Sequence, residues 1–218
     1  MSTWVASSTI EGGGLHARHA ASGRFVFWLK SRLLIGRRLA RSFANGELFH
    51  RYRKLPTVPP GATLIVADEH RLYSSTDPRE RDAELGKVQN LRVAAKAVEG
   101  IILEPGETFS FWLAAGRPSR AKGYVTGREL RGGCMIPSVG GGICQLTNAL
   151  SRVAHKAGME IVERHSHTVH PPGFFIDDKT DATVFWNYID LRFRSSMRVR
   201  IGARLTQTTL AVRLDALP

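Results

Sequence analysis

The sequence has only two cysteines, Cys134 and Cys144, among 218 residues. That excludes a disulfide-built scaffold and a four-cysteine zinc module, and a Cys134–Cys144 bridge within one loop is not expected. No apolar run approaches the ~18 residues that a membrane span needs. Phe25 to Leu29 stops at Lys30, and Leu33 to Ile35 ends before Arg37 and Arg38. A charge-free signal core of about 7–15 residues is also lacking, so the expected location is the cytoplasm. Acidic residues are scarce at one end only: residues 1–60 hold ten Lys or Arg and two Glu, which places +8 of the net +12 there. With 21 Gly and 10 Pro the chain is neither collagen-like nor of low complexity.

Hydrophobic side chains make up 43% of the chain, enough for one full domain with an appendage. Residues 1–23, rich in Ser, Gly, Ala and His without a period, read as a disordered tail. Residues 24–60 read as a basic amphipathic helix, 24–44, followed by a linker containing Pro56, Pro59 and Pro60. On a helical wheel Val26, Leu29, Leu33, Leu39 and Phe43 share an apolar arc, with Lys30, Arg37, Arg38 and Arg41 opposite. Such a helix either packs on the main domain with its basic face in water or lies on an anionic membrane surface. Nucleic acid is not the expected partner, although the charge alone would attract it.

Residues 61–218 read as an α+β domain with a mainly antiparallel sheet and a cysteine-bearing helix packed on it. Strands are expected at 62–67, 101–103, 108–113, 159–163, 182–188, 190–194, 197–203 and 208–214. Helices are expected at 88–99 and from Cys144 to Ala157, with a glycine-rich loop from Arg131 to Gly142. The charged stretch 68–87 shows no apolar period.

The chemistry is concentrated in Gly140-Gly141-Gly142-Ile143-Cys144-Gln145. Consecutive glycines permit positive φ and let another backbone or a ligand come close. At the first turn of a helix, unpaired N–H groups and the positive end of the dipole surround the Cys144 thiol and favour its ionised form. The Cys144 and Gln145 amides are candidate oxyanion donors. A nucleophile needs a base, and Arg164-His165-Ser166-His167 follows one strand later. In an extended segment His165 and His167 point to the same side, so either one is a candidate base. Asp181 or Asp190 is the candidate orienter of the imidazole, completing a nucleophile, base and acid set. Its chain order resembles that of transglutaminase-like and papain-like thiol enzymes.

Other readings compete with this one. In one, Cys144 is a small packing residue, as a cysteine beside glycines commonly is. Cys144, His165, His167, His170 and Asp181 offer zinc donors, but compact ligand spacing is lacking and no metal or other cofactor is expected. The glycine turn, with Arg131, Arg164 and the histidines, would also suit an anionic or glycan ligand held without catalysis. The Lys-Ser/Thr of a P-loop is missing.

Several motifs occur in register over roughly residues 88–194. They are Asn90-Leu91-Arg92, Glu104-Pro105-Gly106-Glu107-Thr108-Phe109-Ser110-Phe111-Trp112 and Val139-Gly140-Gly141-Gly142-Ile143-Cys144-Gln145-Leu146-Thr147-Asn148. Val162-Glu163-Arg164-His165-Ser166-His167, Asp181-Ala182-Thr183-Val184 and Asn187-Tyr188-Ile189-Asp190-Leu191-Arg192-Phe193 complete the set. In these the chain resembles the VanW family, in its short single-domain form. The resemblance implies a link to the bacterial envelope and to vancomycin resistance. A cell-wall peptide or precursor is then the expected substrate of a cysteine-dependent acyl transferase or amidohydrolase. The alternative is a non-catalytic module for an anionic or glycan wall ligand. The segment from Thr168 to Lys179, with His170 and Asp178, departs from the family pattern.

Overall fold

The structure, a computed structural model, describes residues 32–44, 46, 50–73, 77–131, 134–167, 179–186 and 188–218. The expected tail at 1–23 and the first turns of the expected helix, 24–31, lie outside them, as do His170 and Asp178. So do the side chains of Arg131 and Cys134.

The sheet that organises the molecule has four antiparallel strands in the order β1-β9-β8-β2. They are β1 (Thr63–Arg71), β2 (Ile102–Leu103), β8 (Val199–Leu205) and β9 (Thr209–Ala216). β8 and β9 pair from Val199 opposite Ala216 to Leu205 opposite Leu210. Alternation puts Val199, Ile201 and Ala203 with Leu210, Val212 and Leu214 in the core. Two helices cover that face: α2 (Arg81–Val98) packs on β8, and α4 (Cys144–Lys156) packs on β1 and β9. Each contributes a stripe at helical spacing, Leu91, Ala94, Ala95 and Val98 from α2 and Leu146, Ala149, Leu150 and Val153 from α4. A second sheet of β3 (Thr108–Ser110), β7 (Arg192–Arg194) and β6 (Glu160–Glu163) joins the same core through Phe109 stacked on Phe193, centroids 4.7 Å apart. The α+β class and the antiparallel pairing agree with expectation.

Several local expectations fail for identifiable reasons. The expected strand 108–113 stops at Ser110, whose Oγ accepts from the Leu113 amide at 3.2 Å and caps a short helix, α3 (Phe111–Ala115). Helix α2 begins seven residues before the expected 88. Asp77 caps the turn at Pro78–Glu80 that leads into it, and its first turns bury Glu84 and Gly86 rather than an apolar stripe. The expected loop 131–142 is half of a hairpin, β4 (Thr126–Arg131) with β5 (Cys134–Val139). In place of the expected strand at 182–188, residues 182–184 are irregular and Phe185 forms an isolated bridge with Ile189.

Two findings concern the N-terminal part. Residues 50–56 are not a free linker. The Leu55 amide donates to Gly100 O at 2.7 Å, the Ile102 amide donates to Arg53 O at 2.9 Å, and Leu55 O accepts from Arg200. Residues 32–44 are helical (α1), yet their basic face is not simply solvated. Arg38 turns toward the domain and donates to Glu163 at 2.7 Å and to Asp190 at 3.1 Å. Buried carboxylates without a cation would be costly, and this outweighs the preference for placing the apolar arc inward.

Candidate functional site

Cys144 is the first residue of α4, after Ile143 at the N-cap, and is half-buried rather than sealed in the core. The turn that delivers it depends on its glycines. Gly140 and Gly142 have φ of 86° and 91°. Gly141 lies against the backbone of Gly127 in β4, where an added Cβ would come within 2.5 Å of the Gly127 carbonyl carbon. Asn90 of α2 locks this arrangement, donating through Nδ2 to Val125 O and Gly141 O and accepting from the Val125 amide. The close approach allowed by Gly141 is therefore to another strand, while the same turn lines a cavity of about 750 Å³ that opens over Cys144.

His167 and Asp181 complete a linear arrangement. His167 Nδ1 lies 2.9 and 3.0 Å from the two Asp181 oxygens, and its backbone N–H donates to Asp181 Oδ2 at 2.6 Å. Asp181 is 1% exposed. Cys144 is the second group that acts on the ring's titration. With Nδ1 committed to Asp181, Nε2 is the nitrogen left to face Sγ. The Asp181 hydrogen bond, then the Cys144 contact, outweigh burial and push the His167 pKa up from 6.5 to about 10. At neutral pH this ring is therefore an imidazolium. The Thr183 hydroxyl lies 3.7 Å from Sγ on another side.

The placement of Asp181 beside α4 is written into one helix face. Thr147 and Asn148, three and four residues after Cys144, lie on its side of the helix. Thr147 Oγ1 donates to Ala182 O at 2.5 Å, and Asn148 Oδ1 accepts from the Ala182 amide at 2.6 Å. Both backbone groups of the residue after Asp181 are thus held by the cysteine's own helix. Arg164 adds a third hold, donating to Asp181 O at 2.6 Å and to Ser166 Oγ at 2.9 Å. Arg164 is a support of the acid rather than a ligand in the cavity.

Three expectations are corrected. His165 does not share the side of His167: residues 164–167 are not in a strand, and its Nε2 lies 3.7 Å from Glu163. Its backbone carbonyl instead accepts from Thr183. Asp190 does not orient His167. It accepts from Ser110 Oγ at 2.6 Å, the Trp112 amide at 3.1 Å and Arg38, which anchors α3. Burial, opposed by Ser110 and Arg38, pushes its pKa up to about 6. The Gln145 amide is already given to Gly142 O at 3.2 Å and its side chain to Arg71 O at 2.7 Å, so it is not an oxyanion donor. The Cys144 amide has no acceptor among the described residues.

Sequence reasoning missed Thr147, Asn148, Thr183 and the aromatic wall. Trp112 and Trp186, edge to face with centroids 5.4 Å apart, stand between the Cys144 cavity and a second cavity of about 570 Å³ under α1. The Trp112 indole N–H is spent on Ile189 O at 2.8 Å. Among the described residues no cluster of three or more His, Cys, Asp or Glu side chains is arranged to hold a metal ion.

Comparison with known proteins gives concordant matches. The family described as VanW like protein matches residues 86–214. The protein YoaR of Bacillus subtilis (strain 168) is 39% identical over 106 residues, which cover 49% of this chain and 34% of YoaR. The vancomycin B-type resistance protein VanW of Enterococcus faecalis (strain ATCC 700802 / V583) is 31% identical over 135 residues, 61% of this chain and 49% of that protein. The chain thus spans half or less of the curated relatives it matches. No solved structure matches.

Proposed function

The chain belongs to the VanW family, and from that membership and the cleft we propose a cysteine-dependent acyl transferase or amidohydrolase acting on a cell-wall peptide or its precursor. The observation that carries this reading is the relay from Asp181 through His167 to a half-buried sulphur at the head of a 13-residue helix, beside a cavity. The wall-directed substrate is carried over from the vancomycin resistance in the name of the Enterococcus relative.

In the proposed reaction the Cys144 thiolate attacks the carbonyl carbon of a peptide bond, forming a C–S bond. The Cys144 amide stabilises the oxyanion. As the C–N bond breaks, the His167 imidazolium gives its proton to the leaving amine, and a thioester remains. Neutral His167 then takes a proton from water or an acceptor amine that attacks the thioester. The C–S bond breaks and releases an acid or a new amide. Asp181 stays ionised throughout and holds Nδ1–H.

The test is to incubate the protein with a peptidoglycan stem peptide and follow cleavage and adducts by mass spectrometry, with iodoacetamide reactivity against pH in parallel. The expected result is a thioester on Cys144 and rapid alkylation at pH 6. Alkylation at pH 6 no faster than that of a free cysteine, or cleavage undiminished in Cys144→Ala, overturns it. Peptide binding that survives Cys144→Ala with no turnover in the parent supports the non-catalytic module instead.

A further inference from the structure

Helix α1 is held with its Arg38 side toward the domain. Ile35, Arg38 and Ser42 are half-buried, and Arg38 is fixed by Glu163 and Asp190. The apolar residues face outward, with Leu33 74%, Phe43 63%, Leu34 44% and Leu39 40% exposed. Leu33 and Phe43 lie on the outward side of the helix, with Arg37 and Arg41, both exposed, beside them, while Leu39 also lines the cavity beneath the helix. An apolar strip of this kind in water is unfavourable unless something covers it.

The charge pattern selects what covers it. Residues 32–44 contain Arg32, Arg37, Arg38 and Arg41 and no acidic residue, so the same face of a second copy would bring arginines against arginines. Lipid phosphates complement those arginines, and acyl chains complement the leucines and phenylalanine. The preceding sequence, Phe25-Val26-Phe27-Trp28-Leu29-Lys30, continues the same composition. Among the described residues no helix is long and apolar enough to cross a membrane, which favours lying on a bilayer over spanning it.

We propose that α1 docks the protein on an anionic bilayer surface, with Leu33 and Phe43 entering the boundary between headgroups and acyl chains and Arg37 and Arg41 on lipid phosphates. Arg38 is the latch that holds the helix on the domain in this orientation. The proposal does not depend on Cys144 being a nucleophile, since lipid binding is read without turnover.

The experiment is co-sedimentation of the full chain with vesicles of phosphatidylcholine alone or mixed with phosphatidylglycerol, for the parent and for Leu33→Glu/Phe43→Glu. Both substituted positions are exposed, so circular dichroism of the variant should match the parent. The parent is expected to pellet with the mixed vesicles, less with phosphatidylcholine alone and less at high salt. The double variant should lose at least about tenfold in partitioning, since two apolar side chains no longer leave water. Equal pelleting of parent and variant overturns the proposal. So does light scattering that finds a dimeric parent and a monomeric variant, which would make this face an interface between copies.

Discussion

Two buried carboxylates, Asp181 and Asp215, each hold a nitrogen base, yet the clusters around them differ in kind. Asp215 is hydrogen-bonded to Arg213 through one oxygen and lies 3.7 Å from Arg200 through the other; Arg200, 1% exposed, donates to Glu99 at 2.6 Å and to Leu55 O and Pro56 O. Burial pushes the Glu99 carboxyl up, but the Ala203 amide and the Arg200 and Arg204 guanidiniums outweigh it and hold it below its ordinary range. This cluster joins residues 55–56, α2 and β8, and its charge is permanent. His167 instead titrates, and among the groups that raise its pKa is Cys144, half-buried beside a cavity. Burial and ion pairing alone therefore do not mark a reactive site. A titratable partner and an accessible nucleophile distinguish the two.

The sharpest break of this contrast is Cys144→Ala. Acyl transfer should fall by about 10³-fold or more, while the thermal midpoint stays near that of the parent because the residue is not part of the core. Single-turnover cleavage and calorimetry together check it. Next in size is Asp181→Asn, which removes the ring's main anionic partner. Cleavage at pH 7 should drop by about 10²-fold, and the His167 pKa should fall from about 10 toward 6.5, read by NMR of the ring protons. The linked stability has a defined sign. The folded His167 pKa is raised, so its contribution is complete below 6.5, declines above it and is lost as pH rises through about 10. Denaturant midpoints of the parent and His167→Ala should converge over that window.

Arg200→Ala should do the reverse. Asp215 keeps Arg213, but losing the buried guanidinium leaves a cavity and takes the donor from Glu99, Leu55 O and Pro56 O; this should cost about 3–5 kcal/mol in urea unfolding, with Cys144 alkylation in the folded fraction unchanged. A loss of alkylation parallel to the loss of stability would show that the two clusters form one unit.

The regular parts of the molecule were legible because their apolar spacing is regular: Leu146, Leu150 and Val153 mark α4, and alternation marks β8 and β9. Cys144 at a helix start was legible too, since a glycine turn stops and starts secondary structure. Choosing between His165 and His167, or between Asp181 and Asp190, was not. Strand alternation was assumed for residues 164–167, but the chain there follows hydrogen bonds to Asp181 and Thr183, which lie fourteen or more residues downstream. The β4–β5 hairpin was hidden because its strands read Thr-Gly-Arg-Glu-Leu-Arg and Cys-Met-Ile-Pro-Ser-Val, with little alternation and a proline. The start of α2 was hidden because Gly86 packs against the Thr126 carbonyl, a contact that leaves no hydrophobic signature.

Thr147 offers the finest test, because it links the helix carrying the nucleophile to the segment carrying the acid. Its hydroxyl is buried and donates to Ala182 O, so Thr147→Val keeps the shape and removes that hold, together with the longer contact, 3.2 Å, to Cys144 O in the same helix. The orphaned carbonyl should cost about 1–2 kcal/mol of stability. The freed segment should also let Asp181 drift from His167, lowering cleavage by about tenfold while Arg200→Ala leaves it alone. Thr147→Ser, which restores the donor, should recover the rate and the His167 pKa together. A Thr147→Val protein that loses stability but keeps both the rate and the ring's pKa would show that Asn148 and Arg164 suffice to place the acid.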